Sequence, residues 1–243
     1  MISEPLRRQQ DIVRLIARWG IVPYFAGEIE GFSIEEHASP ECWFPEGTVE
    51  GIWEWKGPII MEADCAYGKF YRQKACFVSM DLFPDLVNYR RSLCEPTKDE
   101  RQMLEVLTAH ESLLSKELKR LCGYTEQRQR RSPLEVMAEQ ADPGLARRLR
   151  SATSPRRQSF DAAIGRLQMG GRVVIADFEY NYDRQGRRYG WGVARYCTPE
   201  AFFGPERLAV DRTPEASAER LLTHLRKLLP HASEKQLLRI VEG

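Results

Sequence analysis

The chain has 243 residues and a mass of 28.1 kDa, which fits one large domain or two small ones. Hydrophobic residues make up 42% and charged residues 29% of it, a balance that excludes wholesale disorder and allows a core without disulfides. Mean hydropathy is −0.48, and no apolar run approaches the ~20 residues of a membrane-spanning helix. The charged start, MISEPLRRQQ, lacks the apolar segment of a signal peptide, so we expect a cytoplasmic protein without membrane contact.

The six cysteines and four histidines form no pattern typical of a metal site. No CxxC pair and no tight Cys/His cluster occurs, so we expect free, mostly buried thiols. Glycine-rich phosphate loops of the GxxxxGK[ST] and GxGxxG types are also absent. The sequence therefore predicts no metal and no cofactor, and it leaves open whether the protein is an enzyme.

The net charge of +1 conceals two blocks of opposite sign. Residues 28–64 hold ten acidic residues and one lysine, a net charge of −9. Residues 119–172 hold twelve basic and five acidic residues, a net charge of +7, and the basic residues are nearly all arginine. Such a block is typical of a protein that binds a phosphate backbone. The alternative is a solvated surface whose field is cancelled by the acidic block packed nearby.

The first segment, residues 1–96, is predicted to be α/β, acidic and rich in tryptophan. Apolar spacing predicts a helix from Glu4 to Trp19 that ends at Gly20. We expect residues 21–58 to be irregular, with three tryptophans that either fix the stretch onto a core or line a pocket. Strand character over 59–80 predicts a β-hairpin with its tip near 71–74, and a short helix is expected over 82–91.

Residues 97–204 are predicted to form a winged helix-turn-helix domain. Thr97 and Glu100 make a capping box before a first helix, a second helix spans 116–121, and a third spans 159–169. Two strands, 172–178 and about 191–197, flank a basic turn over 183–188. The order helix, helix, helix, strand, turn, strand is that of a helix-turn-helix extended by a β-hairpin wing. A basic insertion over 124–158 stands where such domains have a turn of 3–4 residues, which weakens the case that the third helix contacts bases.

Residues 205–243 are predicted to form a C-terminal helix hairpin. Leucines recur at helical spacing from Leu221 to Leu229, Pro230 breaks the helix, and Ser233 caps a second one. The apolar stripe of the hairpin either packs on the body of the protein or forms a homodimer, and packing is the default. The fold class predicted for the whole chain is thus α+β.

Two groups of short strings resemble a known family. The first is Trp53-Glu54-Trp55-Lys56, then Ala66-Tyr67-Gly68-Lys69-Phe70, Phe77-Val78-Ser79 and Tyr89-Arg90-Arg91; the second is Leu167-Gln168-Met169-Gly170, then Tyr189-Gly190-Trp191, Tyr196-Cys197-Thr198 and Phe202-Phe203. Together they resemble bacterial proteins related to the AlkZ-like DNA glycosylases, which are built from winged-helix units. The resemblance implies a winged-helix role in DNA binding or repair. The glycosylases use a Gln-x-Gln motif to act on a damaged nucleotide. The only such string in this sequence, Gln127-Arg128-Gln129, lies in the basic insertion, so no catalytic residue is transferred from the glycosylases.

Two sets of residues are candidates for function. Arginines near the third helix and on the turn of the wing are the candidates for contact with nucleic acid: Arg156, Arg157, Arg166, Arg172, Arg184, Arg187 and Arg188. Aromatic and charged residues of the first segment are the candidates for a pocket that could stack a flipped base: Trp53, Trp55, Asp64, Tyr67 and Lys69. Each set also has a purely structural interpretation, as a solvated turn and as core aromatics with an edge charge.

The sequence favours a winged-helix protein that binds nucleic acid, with DNA as partner, in repair or regulation. Two alternatives stay open: a glycosylase-like hydrolase acting on damaged bases, and a winged-helix scaffold that binds a small molecule or a protein.

Overall fold

The computed structural model describes residues 5–43, 45, 50–124, 158–186 and 188–243. These residues form eleven α-helices and two three-stranded antiparallel sheets, which confirms the predicted α+β class. The insertion predicted over 124–158 lies, except for its two end residues, outside the described residues. None of the described helices is long and apolar enough to cross a membrane.

The N-terminal segment contains more regular structure than its sequence suggests. Helix α1 (Gln9–Trp19) ends at Gly20, as predicted, where φ is +72°. Strand β1 (Ile21–Pro23), two short helices, α2 (Ile34–His37) and α3 (Pro40–Trp43), and helix α4 (Ile52–Glu62) follow in the stretch predicted to be irregular. Pro58 suggests a break but lies inside α4, which starts where Glu54 accepts a hydrogen bond from the Gly51 N–H at 3.0 Å.

The first sheet has the strand order β1-β3-β2. Strands β2 (Cys65–Tyr71) and β3 (Lys74–Ser79) form the predicted hairpin, and Arg72 and Gln73 turn it with positive φ angles. Strand character predicted from residue 59 is wrong for 59–62, which belong to α4. Helix α5 (Phe83–Leu93) follows the sheet, as expected from the sequence.

The middle of the chain follows the predicted order, with one addition. Helix α6 (Lys98–His110) begins at the Thr97–Glu100 capping box. Strand β4 (Ser112–Leu114) then comes where the apolar spacing suggests more helix, because Glu111 adopts a positive φ and ends α6. Helix α7 (Ser115–Leu121) follows at once, with Leu114 at its N-cap.

After the insertion, helix α8 (Phe160–Met169) leads into a long hairpin of strands β5 (Val174–Tyr182) and β6 (Arg188–Cys197). The hairpin is longer than predicted at its turn end, so that the turn shortens to the residues between Tyr182 and Arg188. Strand β4 pairs with the far end of β6, from Ser112 opposite Cys197 to Leu114 opposite Arg195. The second sheet thus has the order β4-β6-β5.

The C-terminal segment contains helix α9 (Pro199–Phe203), a 3-10 turn (Pro205–Arg207), and the predicted hairpin of α10 (Pro214–Leu228) and α11 (Glu234–Glu242). Both hairpin helices pack against α5 of the same chain. This packing covers their apolar stripe, and its residues are all buried: Leu221, Leu222, Leu225, Leu237, Ile240 and Val241. The packing alternative therefore accounts for the stripe, and nothing in the fold supports the homodimer.

One hydrophobic cluster runs through all three predicted segments, from Leu6 to Val241. Two buried polar contacts attach the C-terminal helices to this cluster. The Arg90 guanidinium donates to the carbonyls of Val241, Ile240 and Met169 at 2.7–2.8 Å, and so neutralises the negative ends of α11 and α8. The Asp85 carboxylate accepts from Arg212, Ser217 and Arg220. The division into three domains stays a prediction.

Candidate nucleic-acid interface

The β5–β6 hairpin, called the wing below, is shaped by glycine and by a stacked pair of side chains. A Cβ on Gly192 would lie 2.9 Å from the Tyr180 ring, so only glycine lets that ring cross β6. The Arg188 guanidinium stacks on the same ring, 4.0 Å from its centroid, and binds Glu50 at 2.7 Å. This chain of contacts fixes the wing to the segment that precedes α4.

The tip of the wing extends into solvent. Asp183 turns the chain by accepting hydrogen bonds from the Gln185 and Gly186 N–H groups, and Gly186 adopts a φ of +77°. Arg184 is exposed and forms no ion pair with any described residue. Tyr182 is one of the few large hydrophobic side chains exposed among the described residues, with 61% of its surface accessible. The tip therefore presents the exposed guanidinium of Arg184 and the exposed ring of Tyr182, whose side chain hydrogen-bonds to Arg188.

The predicted arginines divide into three groups. Arg184 and Arg188 lie on the wing, as expected, but Arg188 forms an ion pair with Glu50. Arg166 and Arg172 lie together beside a pocket of about 360 Å³ between the ends of α5, α8 and α11, away from the wing tip. Three lie outside the described residues: Arg156, Arg157 and Arg187.

Both pocket arginines are engaged by the protein. Arg166 pairs with the Glu100 carboxylate, which is only 2% exposed, at 3.1 Å. Arg172 donates to the backbone carbonyls of Arg91 and Cys94, and burial lowers its pKa. These contacts tie α8 and the residues after it to α5 and α6, although the Arg166 side chain remains 47% exposed.

Helix α8, the third helix of the predicted domain, is covered on most of its surface. Its buried residues face α6 on one side and strand β2 on the other. Gln168 is fully buried, accepts from the Lys69 N–H at 3.1 Å and donates to the Ile164 carbonyl at 3.2 Å. On the exposed side Asp161 pairs with Lys119 at 3.5 Å. The helix therefore offers a narrow exposed face on which Asp161 and Arg166 are both ion-paired.

The five predicted pocket residues do not share one surface. Tyr67 is buried in the core, where its ring stacks on Phe77 at 4.6 Å, and burial raises the pKa of its hydroxyl. Asp64 is exposed and pairs with Arg207 at 2.6 Å. The backbone N–H of Lys69 donates a hydrogen bond to the side chain of Gln168.

The two tryptophans of the predicted pocket both lie on α4, half-buried and packed against the core. Trp53 belongs to an aromatic cluster, with ring centroids 5.2–5.9 Å from those of Trp43, Tyr24 and Phe25. The aromatic-core interpretation thus describes Trp53 better than a base-stacking pocket does.

Sequence reasoning missed a lysine between α4 and the wing. The Nζ atom of Lys56 lies 5.3 Å from the Trp53 ring centroid and 4.5 Å from that of Phe178, and burial lowers the pKa of the amine. Lys56 belongs to the Trp53-Glu54-Trp55-Lys56 string noted above. No rule of sequence analysis, however, predicts its contact with a strand more than a hundred residues later in the chain.

Among the described residues, ion pairs join the acidic block of residues 28–64 to arginines of distant elements that lie outside the basic block of residues 119–172. They are Glu28 with Arg72 and Arg239, Glu50 with Arg188, and Asp64 with Arg207. No group of three or more possible metal ligands occurs among the residues that the structure describes.

Comparison with known proteins gives one result. The family model described as AlkZ related matches residues 6–242, which is nearly the whole chain and more than the strings of the sequence analysis cover. No curated protein and no solved structure gives a significant match.

Proposed function

Because the chain belongs to the AlkZ-related family over residues 6–242, we propose that it binds DNA in a repair-related role through a winged-helix unit. The family description supports the link to repair. The contacts of the protein support the mode of binding.

The winged-helix assignment rests on element order and strand pairing. Helix α6, strand β4, helices α7 and α8 and the β5–β6 hairpin follow one another in that order, and the short strand between the first two helices pairs with the second strand of the hairpin. Three helices closed by such a sheet are the arrangement of a helix-turn-helix with a wing. The unit packs on the first sheet through α8 and β5.

The observation that carries the proposal is the projecting wing tip, where Arg184 is free of any described carboxylate and Tyr182 is exposed. A guanidinium without an internal partner is available to phosphate, and an exposed aromatic ring beside it can contact sugars or bases in a groove. The third helix is covered, so the wing and not α8 makes the primary contact. This mode differs from the usual helix-turn-helix docking, in which the recognition helix enters the major groove.

In this mechanism, long-range attraction brings the duplex to the arginine-rich block and the wing then fixes its position. Arg184 supplies a phosphate contact, while Arg188 is held by Tyr180 and Glu50 and supports the shape of the wing. Arg156, Arg157 and Arg187 remain proposed phosphate contacts. Binding of this kind loses affinity steeply as salt rises, because releasing counterions from DNA into a more concentrated salt solution gains less free energy.

The glycosylase-like alternative finds less support among the described residues. The glycosylases proper use a Gln-x-Gln motif, and Gln168 is the one glutamine of the family-like strings. The two polar atoms of its side chain both form hydrogen bonds with backbone groups inside the core, so the side chain cannot reach a nucleotide.

A scaffold that binds a small molecule or a protein would leave the wing tip without a ligand, and this alternative predicts no binding of DNA at low salt.

The test is the affinity for a fluorescent duplex of wild type and of two single-charge variants. Arg184→Ala should weaken binding several-fold and lower the salt dependence by about one phosphate contact. Arg14→Ala is the matched control, because it removes another exposed arginine, from α1, where its ion pair is with Asp11 of the same helix. Equal affinities for the two variants would refute the wing as the interface. Release of a modified base would instead favour the hydrolase.

A further inference from the structure

Lys56 occupies an unusual place at the base of the wing. It lies in the second turn of α4, which packs against β5, and its Nζ atom sits between the faces of Trp53 and Phe178. All three side chains are half-buried, so the amine is held by the protein and can still be reached from outside. The two rings attract the ammonium form and fix its position.

No described carboxylate forms an ion pair with this amine. Glu54 is the one nearby acidic group that favours the charged form, and its effect is smaller than that of burial. The pKa of the amine is therefore lowered, and more of it is neutral at physiological pH than in an exposed lysine. A neutral amine in a desolvated, aromatic setting is a nucleophile, and its natural electrophile is an aldehyde or ketone.

The wing connects Lys56 to the proposed DNA interface. Phe178, which covers the amine, and Tyr182, at the exposed tip, are four residues apart on β5, about 13 Å along an extended strand. That distance corresponds to about four base pairs at 3.4 Å per pair. A duplex bound at the tip and lying along the wing would pass beside the amine.

We propose that the Lys56 amine forms a Schiff base with the aldehyde of an abasic nucleotide in DNA. The inference rests on the proposed function, since an intact nucleotide offers no aldehyde, whereas the sugar left after loss of a base opens to one at C1′. The neutral amine attacks C1′ and forms the N–C bond. The carbonyl oxygen leaves as water with one proton from the nitrogen and one from solvent, and a protonated C=N bond remains. No oxidant, reductant or metal is needed.

The test is borohydride trapping on a duplex with a single abasic site. Borohydride delivers hydride to the C=N carbon and converts the Schiff base into a stable amine, which appears as a covalent protein–DNA band on a denaturing gel. Lys56→Arg keeps the positive charge and the contacts with the rings but cannot form the bond. Lys74→Arg is the matched control, because Lys74 also lies over an aromatic ring, that of Phe25, but is exposed. Anisotropy on the same duplex measures binding separately.

We expect wild type and Lys74→Arg to give the covalent band, and peptide mapping to place the adduct on Lys56. Lys56→Arg should lose the band about tenfold or more while its affinity for the abasic duplex stays within about twofold. Binding without a band, or a band that survives in Lys56→Arg, would overturn the Schiff base and leave the proposed function intact. Absence of binding to any duplex would overturn both.

Discussion

Replacing Asp85 with asparagine tests how the C-terminal helices are attached. The Asp85 carboxylate is 1% exposed and accepts hydrogen bonds from Arg212 at 2.6 and 2.8 Å, from Ser217 at 2.7 Å and from Arg220 at 2.6 Å. An asparagine keeps the shape but loses the charge, and it turns an NH₂ group toward arginine donors. Both arginines are partly exposed and can return to water, so the cost should fall near the lower limit for breaking a buried pair, about 3 kcal/mol.

The assay is urea denaturation followed by circular dichroism, with thermal unfolding as a second readout. A loss of about 3 kcal/mol corresponds to a Tm lower by about 6–12 °C for a chain of this size. Asp81→Asn is the matched control: Asp81 binds the same Arg220 at 2.9 Å but is 74% exposed, so its loss should cost less than about 1 kcal/mol. If Asp85→Asn were no more destabilising than Asp81→Asn, the buried carboxylate would not be what attaches α10 to α5.

Four further predictions concern the core, the wing and the thiols. Gln168→Leu should lower the free energy of unfolding by about 1–3 kcal/mol in urea, because it leaves a buried N–H without an acceptor; an unchanged midpoint would contradict this structural role. Gly192→Ala should displace the Tyr180 ring and weaken binding of DNA in anisotropy, with little change in Tm; unchanged affinity would count against the wing. In the native protein, Cys94 should react fastest with a thiol reagent, because most of the others are buried. Burial raises the pKa of the Cys65, Cys76 and Cys197 thiols from 9.0 to about 12. The unfolded chain therefore releases these protons first, and the free energy of unfolding falls as pH rises above about 9. Denaturation at pH 8 and at pH 10 would measure this fall.

Local signals in the sequence were enough for much of the fold. The Thr97–Glu100 capping box, Gly20 at the end of α1 and Ser233 at the start of α11 each act within a few residues, and each was located correctly. The β2–β3 hairpin was found for the same reason, because its two strands are neighbours in the chain.

Errors arose where distant contacts override local preference. Pro58 is tolerated inside α4 because that helix is packed between α1 and β5. Strand β4 exists only because β6, some eighty residues later, supplies its partner. The same limit applies to the candidate site: Arg166 and Arg172 looked free in the sequence, yet Glu100 and the carbonyls of Arg91 and Cys94 engage them.

The central claim is that this protein binds DNA through backbone phosphates. The most direct measurement is the anisotropy of a fluorescent random duplex, titrated with the wild-type protein at several salt concentrations from low to physiological. Binding through phosphates predicts affinity at low salt and a linear fall of log affinity with log salt, with a slope that gives several phosphate contacts when divided by about 0.9. Absence of binding at low salt, or an affinity that does not change with salt, would contradict it.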